Sequence, residues 1–224
     1  MFIIKSLLKV SKVTAHTIAR MDIEGLEHVP ATGGCVVVSN HIGRLDAMLG
    51  IVLAERDDVI MFVAEKYQKY AFWRWMVRQV DGIWLNRFDT DFHALREVHK
   101  RLKAGGALVI APEGTRSATG TLLPGKQGAA FLAAKAGVPI IPVGLTGTED
   151  AVVKGRLRRF KRLDIKIRIG EPFELPPMDR KNRDVYLDAQ TAEIMCRIGA
   201  LLPPAYHGYY ADHPRLAALQ AASA

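Results

Sequence analysis

The chain has 224 residues, 49% of them hydrophobic, which is enough for one sizeable buried core, and no segment has low complexity or repeats at a fixed period. The formal net charge of +8 favours anionic partners such as nucleic acid, phosphorylated metabolites, coenzyme phosphates or an anionic bilayer, and charge alone does not choose among them. The spacing of Cys35 and Cys196 excludes a zinc motif or a disulfide framework, so we expect two buried thiols in a reducing compartment.

The pattern of residues 1–22 predicts an amphipathic helix. Polar and mostly basic side chains recur every three or four residues, at Lys5, Lys9, Lys12, His16 and Arg20. The lysines interrupt the continuous apolar stretch of a signal peptide, and no run approaches the roughly 18 apolar residues of a membrane span. Such a helix either lies in a membrane interface or packs on its own domain, and this stretch alone favours neither.

Strand-like and helix-like segments alternate over the remainder, 23–224. The predicted strands are 35–38, 58–65, 82–87, the start of 107–116, 138–147 and 163–173. The predicted helices are 45–55, 66–80, 92–104, 126–137 and 185–202. This alternation predicts an α/β fold, a single domain whose central, mostly parallel sheet is flanked by helices.

Unusual polar residues follow several of the predicted strands. His41 and Asp46 follow the first strand, Arg87 follows the third, and "EGTRS" (113–117) follows the fourth. If these strands are parallel neighbours, the three loops open onto one edge of the sheet, where α/β proteins usually carry their chemistry.

His41 and Asp46 fit the roles of a general base and its partner. A neutral imidazole can remove a hydroxyl proton as the oxygen attacks a carbonyl, and a carboxylate on its other nitrogen fixes the tautomer. The nucleophile would then come from the substrate. The spacing alone is weak, because His207 and Asp212 repeat it in a turn-rich tail, where we interpret the pair as structural.

The stretch "PEGTRS" (112–117) combines groups that suit an anion. Gly114 allows close backbone approach, Arg116 offers a planar guanidinium, and Thr115 offers a hydroxyl. Glu113 could anchor the loop or hold a substrate hydroxyl. The alternative is a tight turn with a surface arginine, and Arg87 has the same alternative.

Taken in order, four blocks resemble the glycerolipid acyltransferase family typified by the lysophosphatidate acyltransferases. They are "NHIGRLD" (40–46), "GIWLNR" (82–87), "PEGTRS" (112–117) and "GVPIIPVGLTG" (137–147), within a match of roughly 30–175. The intervening "GTLLPGKQGAAFLAAKAG" is also similar to the family. One block would be weak, whereas four in the right order are specific.

The resemblance implies an acyltransferase domain over 23–224. The residues that match its functional positions are His41, Asp46, Arg87, Glu113, Gly114, Thr115 and Arg116. His41 would be the general base, Asp46 its orienting partner, and Arg87 and Arg116 the ligands of the acceptor's phosphate. The expected reaction moves a fatty acyl group from acyl-CoA or acyl carrier protein to the sn-2 hydroxyl of lysophosphatidate, in phospholipid biosynthesis, with no metal or other cofactor.

Two departures from the family leave the acceptor open. Gly43 stands where many members have serine, and Asn86 stands where the second block often has an acidic residue. Glycerol 3-phosphate, another lysophospholipid, or a sugar or amine lipid are alternative acceptors. A noncatalytic lipid-binding module and a hydrolase that activates water are alternative functions.

A lipid substrate gives further segments a meaning. The helix over 1–22 and "YAFWRWMVR" (70–78) would be interfacial elements of a peripheral protein on the cytoplasmic face of the membrane. Eight cations in 154–168 would meet headgroups, coenzyme phosphates or an acidic carrier protein, or would form a solvated basic hairpin. Nucleic acid is not expected as a partner, because no recognised binding module accompanies the charge.

Overall fold

The structure, a computed structural model, describes residues 18–46, 49, 56–85, 91–179 and 181–222. Three predictions fall on other positions and so lie outside the described residues. They are residues 1–17 of the N-terminal helix, most of the helix over 45–55, and the pair Asn86 and Arg87.

The described residues form one seven-stranded sheet. Its strands are β1 (Ala19–Glu24), β2 (Cys35–Ser39), β3 (Val59–Ala64), β4 (Ile83–Leu85), β5 (Ala107–Ile110), β6 (Ile140–Thr146) and β7 (Leu163–Ile169). Their spatial order is β1-β7-β6-β2-β5-β3-β4. The five strands from β6 to β4 are parallel to one another, whereas β7 is antiparallel to β6 and β1 is parallel to β7.

Helices connect the strands and cover both faces of the sheet. They are α1 (Ala71–Gln79), α2 (Phe92–Lys103), α3 (Gly128–Ala136), α4 (Asp150–Arg158), α5 (Arg183–Ala200) and α6 (Pro214–Ala222). The predicted α/β class with a mostly parallel sheet is therefore confirmed.

Strand β2 in the middle of the sheet is apolar at four successive positions, Cys35 to Val38, because both of its faces are buried. Val36 and Val38 pack in a core cluster with residues of α2, α3 and α5, whereas Cys35 and Val37 pack in a second cluster on the other face. Successive side chains of a strand point to opposite faces, so a strand covered on both sides must be apolar at every position.

Residues 154–168, the segment with eight cations, form the end of a helix, a turn and a strand. They do not form the hairpin that was one alternative for this segment. It comprises the end of α4, a turn over 159–162 and most of β7. In β7 the buried residues alternate with more exposed polar ones, so Lys166 and Arg168 point away from the core as a period-two strand requires.

The N-terminal helix predicted over 1–22 does not reach residue 22, because Ala19–Glu24 form strand β1. β1 pairs with β7 over its whole length, from Ala19 beside Leu163 to Glu24 beside Arg168. Arg168 also binds the carboxylates of Asp22 and Glu24, at 2.7 and 3.0 Å. Pairing with a sheet edge supplies backbone hydrogen bonds that outweigh the helical pattern of cations ending at Arg20.

Asn40 joins the end of β2 to β6. Its amide nitrogen donates to the Leu145 carbonyl at 2.9 Å, and its amide oxygen accepts from the Leu145 N–H at 2.8 Å. Asn40 is almost fully buried. Both polar groups of one backbone residue are thus satisfied by a single side chain, directly before the loop that carries His41.

We expect Asn40→Ala to lower the free energy of unfolding by about 3 kcal/mol, because it leaves the buried N–H and C=O of Leu145 without partners. Equilibrium urea denaturation measures this change. Asn182→Ala is the matched control: Asn182 is exposed and bonds only Asp179 through its side chain, so we expect a change within about 0.5 kcal/mol. Equal losses in the two variants would contradict this account of Asn40.

Candidate active site

Parallel pairing brings two of the three predicted loops together. β2 and β5 are adjacent and parallel, so the loops that follow them leave the sheet at one edge. The His41 N–H donates to Oε1 of Glu113 at 2.8 Å, and the Ser117 N–H donates to the His41 carbonyl at 2.7 Å. The 113–117 loop therefore binds both the backbone N–H and the carbonyl of His41. The third loop, with Arg87, lies outside the described residues.

His41 and Asp46 form the predicted pair. Nδ1 of His41 lies 2.9 Å from Oδ2 of Asp46. The imidazole is 23% exposed and the carboxylate 3%, so the ring reaches solvent while its partner is enclosed. The bond at Nδ1 leaves Nε2 as the ring nitrogen that a substrate can meet.

The Asp46 carboxylate is fixed by the loop that it closes. The same oxygen, Oδ2, accepts from the N–H groups of Ile42 and Gly43, both at 2.8 Å. Asp46 is itself helical, and the Leu49 N–H donates to the Leu45 carbonyl in the same turn. Three donors on one oxygen hold the carboxylate, and through it the plane of the imidazole.

Glu113 is an internal anchor. It is 2% exposed, and its second oxygen, Oε2, accepts from the Leu123 N–H at 3.0 Å. Burial raises the pKa of Glu113, while the hydrogen bonds from Leu123 and His41 act in the opposite direction. Of its two predicted roles, the geometry favours anchoring the loop over holding a substrate hydroxyl.

Gly114 and Thr115 occupy different sides of their loop. Gly114 has a φ of 68° and lines the cavity beside His41, and a Cβ there would stand 3.0 Å from Cδ of Lys126. The positive φ favours glycine, and a larger residue would also push the Lys126 side chain slightly aside. Thr115 is exposed and is not among the described residues that line the cavity.

Arg116 binds a carboxylate of the protein. Its guanidinium contacts Oδ2 of Asp150, the first residue of α4, at 2.5 Å. Oδ1 of Asp150 also accepts from the Arg44 N–H at 3.0 Å. Arg116 is partly exposed and is not among the described residues that line the cavity, so here it joins the 113–117 loop to α4.

A largely apolar cavity of about 440 Å³ opens beside His41. Its lining comes from the ends of β2, β3, β4 and β5 and from the first turns of α2 and α3. The apolar residues of its wall include Met61, Phe62, Leu85, Leu95, Val109, Ile110 and Leu132. A cavity of this composition suits a hydrocarbon chain, and His41, Asp46 and Lys126 are also in its lining.

Lys126 is a cation of this cavity that the sequence reasoning missed. Its aliphatic side chain packs on Gly114. Its backbone N–H donates to the Pro112 carbonyl at 2.8 Å, so the backbone at Lys126 lies against the start of the 113–117 loop. No carboxylate pairs with Lys126 within the part of the chain that the structure describes. The sequence feature that could have indicated this cation is a lysine two residues before the apolar helix α3.

His207 repeats the spacing of His41 but not its setting. The ring is buried, and Nε2 contacts the Leu202 carbonyl at 3.0 Å. The structural interpretation of His207 agrees with this contact.

Neither a metal cluster nor a membrane-spanning helix is found within the described residues. No group of three or more His, Cys, Asp and Glu side chains there is placed to hold a metal ion. None of the helices formed by these residues combines the length and apolar character needed to cross a bilayer.

Comparison with known proteins accords with this geometry. Residues 20–146 match the family model described as Acyltransferase, which spans β1 to β6 and includes both loops of the His41 site. The chain belongs to the acyltransferase family. The matched range contains the His41 and Asp46 pair, the 113–117 loop and Lys126.

Two relatives of this chain are 1-acyl-sn-glycerol-3-phosphate acyltransferases by name. The chain is 30% identical over 170 residues to the chloroplastic 1-acyl-sn-glycerol-3-phosphate acyltransferase BAT2 of Brassica napus, covering 73% of this chain and 48% of that protein. It is 33% identical over 159 residues to 1-acyl-sn-glycerol-3-phosphate acyltransferase alpha of Homo sapiens, covering 68% and 54% respectively. The chain thus spans about half the length of these curated relatives.

A solved structure has the same fold. The crystal structure of PlsC, the 1-acyl-sn-glycerophosphate acyltransferase of Thermotoga maritima, aligns with a TM-score of 0.63 and 27% sequence identity. The alignment covers 84% of this chain and 76% of the other.

Gly43 is held in a tight backbone contact. A Cβ on Gly43 would stand 1.7 Å from the carbonyl oxygen of Thr148, in the loop between β6 and α4. Serine, which many family members have here, would meet the same oxygen. The departure at Gly43 is thus coupled to the position of the Thr148 backbone.

We expect Gly43→Ala to lower turnover about tenfold and the free energy of unfolding by about 1–3 kcal/mol, because the added methyl displaces either the Asp46 donors or the Thr148 loop. Steady-state kinetics and urea denaturation measure the two effects. Gly155→Ala, in α4 with open space around its Cα, is the control and should be neutral or stabilise by up to about 1 kcal/mol. An active, stable Gly43→Ala would contradict the steric account.

Proposed function

We propose that this protein transfers a fatty acyl group from a thioester donor to the sn-2 hydroxyl of lysophosphatidate, which forms phosphatidate. The observation that carries the proposal is the Nδ1 to Oδ2 bond of 2.9 Å between His41 and Asp46, which both line the apolar cavity. The names of the relatives support the choice of acceptor.

In the proposed reaction His41 acts as general base through Nε2. The imidazole takes the proton of the acceptor hydroxyl as that oxygen attacks the thioester carbonyl. The new C–O bond forms, the C–S bond breaks, and the departing thiolate takes the proton from the imidazolium. Asp46 stabilises the imidazolium and keeps its tautomer. The donor, acyl-CoA or acyl carrier protein, is a substrate, and this step requires neither a metal nor another cofactor.

The cavity would hold the acyl chain of the donor or acceptor. Its side walls are formed by residues such as Phe62, Leu85 and Leu132, and burial of a hydrocarbon chain against them is favourable by about 0.8 kcal/mol per CH₂. The reacting carbonyl would lie beside His41, which lines the cavity together with Lys126.

Lys126, Arg116 and Arg87 are the proposed ligands of the acceptor's phosphate. Lys126 lines the cavity and carries an uncompensated charge within the described residues. Arg116 would have to exchange the Asp150 carboxylate for the phosphate, which reduces its net contribution. Glu113, Gly114 and Thr115 would shape the loop around the phosphate.

Because the acceptor is a membrane lipid, we place the protein as a peripheral protein on the cytoplasmic face of the membrane. The surface of α1 supports this: Phe72 and Trp75 are largely exposed, and Arg74 and Arg78 lie on the same helix. The free, buried thiols of Cys35 and Cys196 are consistent with a reducing compartment.

We expect His41→Ala and Asp46→Asn to lower kcat by about 10³-fold and 10²-fold, respectively, with little loss of affinity for vesicles that contain lysophosphatidate. Mass spectrometry of phosphatidate formed from acyl-CoA measures turnover, and vesicle sedimentation measures binding. The loss should be larger for His41→Ala, because Asp46 acts through the ring.

His93→Ala serves as the control, since His93 is exposed on α2 and should keep full turnover. Unchanged turnover in His41→Ala would show that the protein binds lipid without this base. Release of free fatty acid in place of phosphatidate by the unaltered protein would identify a hydrolase. Phosphate-free acceptors that outperform lysophosphatidate would overturn the choice of acceptor.

We expect Lys126→Met to raise the KM for lysophosphatidate about tenfold, with a smaller change in the KM for the donor, because a charge-assisted contact to the phosphate is lost. Lys135→Met is the matched control, as Lys135 is an exposed lysine near the carboxyl end of α3 and packs over the Phe131 ring. An equal rise in both KM values would contradict the assignment of Lys126 to the acceptor.

A further inference from the structure

Phe160 has no packing role in the described fold. It lies in the turn between α4 and β7, and its side chain is 100% exposed, more than any other large hydrophobic residue of the described chain. A fully exposed phenylalanine gives up the favourable free energy that its burial would supply.

The turn presents Phe160 in a defined conformation. Backbone hydrogen bonds run from the N–H groups of Arg159 and Lys161 to the Arg156 carbonyl, each 3.0 Å, and from Phe160 to Leu157 at 3.1 Å. Phe160 has a φ of 53°, the left-handed conformation, which costs a residue with a Cβ about 1–2 kcal/mol. Glycine would avoid this cost, so the fold itself does not account for a phenylalanine here.

Cationic residues flank Phe160 in the chain. We call residues 158–162, "RRFKR", the basic aromatic turn; all five are exposed. No carboxylate pairs with Arg158, Arg159 or Lys161 within the described ranges. Leu157, one turn of helix before Phe160, is also 48% exposed. The turn therefore combines an apolar tip with a positive rim.

The sheet places the basic aromatic turn at the edge that carries His41. β7 is antiparallel to β6, and Thr146 at the carboxyl end of β6 pairs with Lys166, so β7 begins beyond that end. β2 is parallel to β6, with Ser39 beside Val143, and its carboxyl end leads to His41 at the same edge. α4, which leads to the turn, begins at Asp150 beside Arg116.

Strand β3 is parallel to β5 and also ends at this edge. Helix α1 is the next α-helix along the chain after β3. Two separate aromatic and basic surfaces, α1 and the basic aromatic turn, therefore lie at the sheet edge where the active-site loops open.

We propose that the basic aromatic turn docks on an anionic lipid bilayer, with the Phe160 ring among the acyl chains and its neighbouring cations at the lipid phosphates. The inference rests on the proposed function only in that a lipid acceptor gives the protein a reason to meet the bilayer. A single protruding ring enters a bilayer without a preformed pocket, whereas a protein partner would need one, and the positive rim complements anionic headgroups.

The test places a fluorophore at the tip. Phe160→Cys, labelled with the environment-sensitive dye NBD, is mixed with vesicles of phosphatidylcholine alone or with phosphatidylglycerol. Cys35 and Cys196 are buried, and burial raises the pKa of the Cys196 thiol to about 11, so neither native thiol competes for the label. Glu171→Cys is the matched control, an exposed position just after β7, at the amino end of β6.

We expect a blue shift and a gain in NBD emission for the Phe160 label on anionic vesicles, and none for the Glu171 label. Phe160→Ser, which touches no core residue, should weaken sedimentation with these vesicles about fivefold without changing the thermal unfolding temperature. An unshifted Phe160 label, or a shift caused by acyl carrier protein in the absence of vesicles, would overturn the proposal. Turnover of a detergent-dispersed acceptor tests the proposed function separately, because neither binding readout requires catalysis.

Discussion

The carboxylate of Asp46 is the fixed point on which the site depends. One of its oxygens, Oδ2, accepts hydrogen bonds from the N–H groups of Ile42 and Gly43 and from the imidazole of His41. The loop geometry and the ring orientation are thereby set by one buried group, which cannot move without leaving backbone donors unpaired. In the proposed reaction the same oxygen stabilises the imidazolium, so a structural constraint and a chemical role share one atom.

The parallel sheet supplies the second constraint. Because β2 and β5 lie side by side with the same direction, the loop with His41 and the loop with Glu113 must leave at one edge. Glu113 then binds the His41 N–H, and Asn40 binds both polar groups of Leu145 in β6. The geometry of the candidate site is thus built from strand neighbours that are far apart in the sequence, and the cavity lies where their ends meet.

Much of this arrangement could be predicted from the sequence, because it depends on local pattern. The continuous apolar run at Cys35–Ser39 indicates a doubly covered strand, and the alternation in Leu163–Ile169 indicates a strand with one covered face. The four blocks in order were sufficient to identify the family. The direction of β7 and the strand at Ala19–Glu24 could not be predicted in this way, because both depend on which distant edge accepts them.

The missed features of the site are all long-range contacts. Lys126 reaches the cavity because its N–H binds the Pro112 carbonyl, and Arg116 turns away because Asp150 lies at the start of α4. The contact that makes Gly43 necessary comes from Thr148, more than a hundred residues along the chain. Residue type identified the chemistry at these positions, but only the tertiary fold determines which cation lines the cavity.

In the proposed reaction the acyl group passes directly from the thioester to a hydroxyl of the substrate, with His41 as base and no acyl group on the protein. Intact-protein mass spectrometry during turnover, with thiol release measured in parallel, tests this route. We expect an unmodified protein mass at all times, almost no thiol release from the donor alone, and one thiol per phosphatidate once lysophosphatidate is added. A protein carrying one acyl group in the absence of acceptor, formed with a burst of thiol, would contradict it.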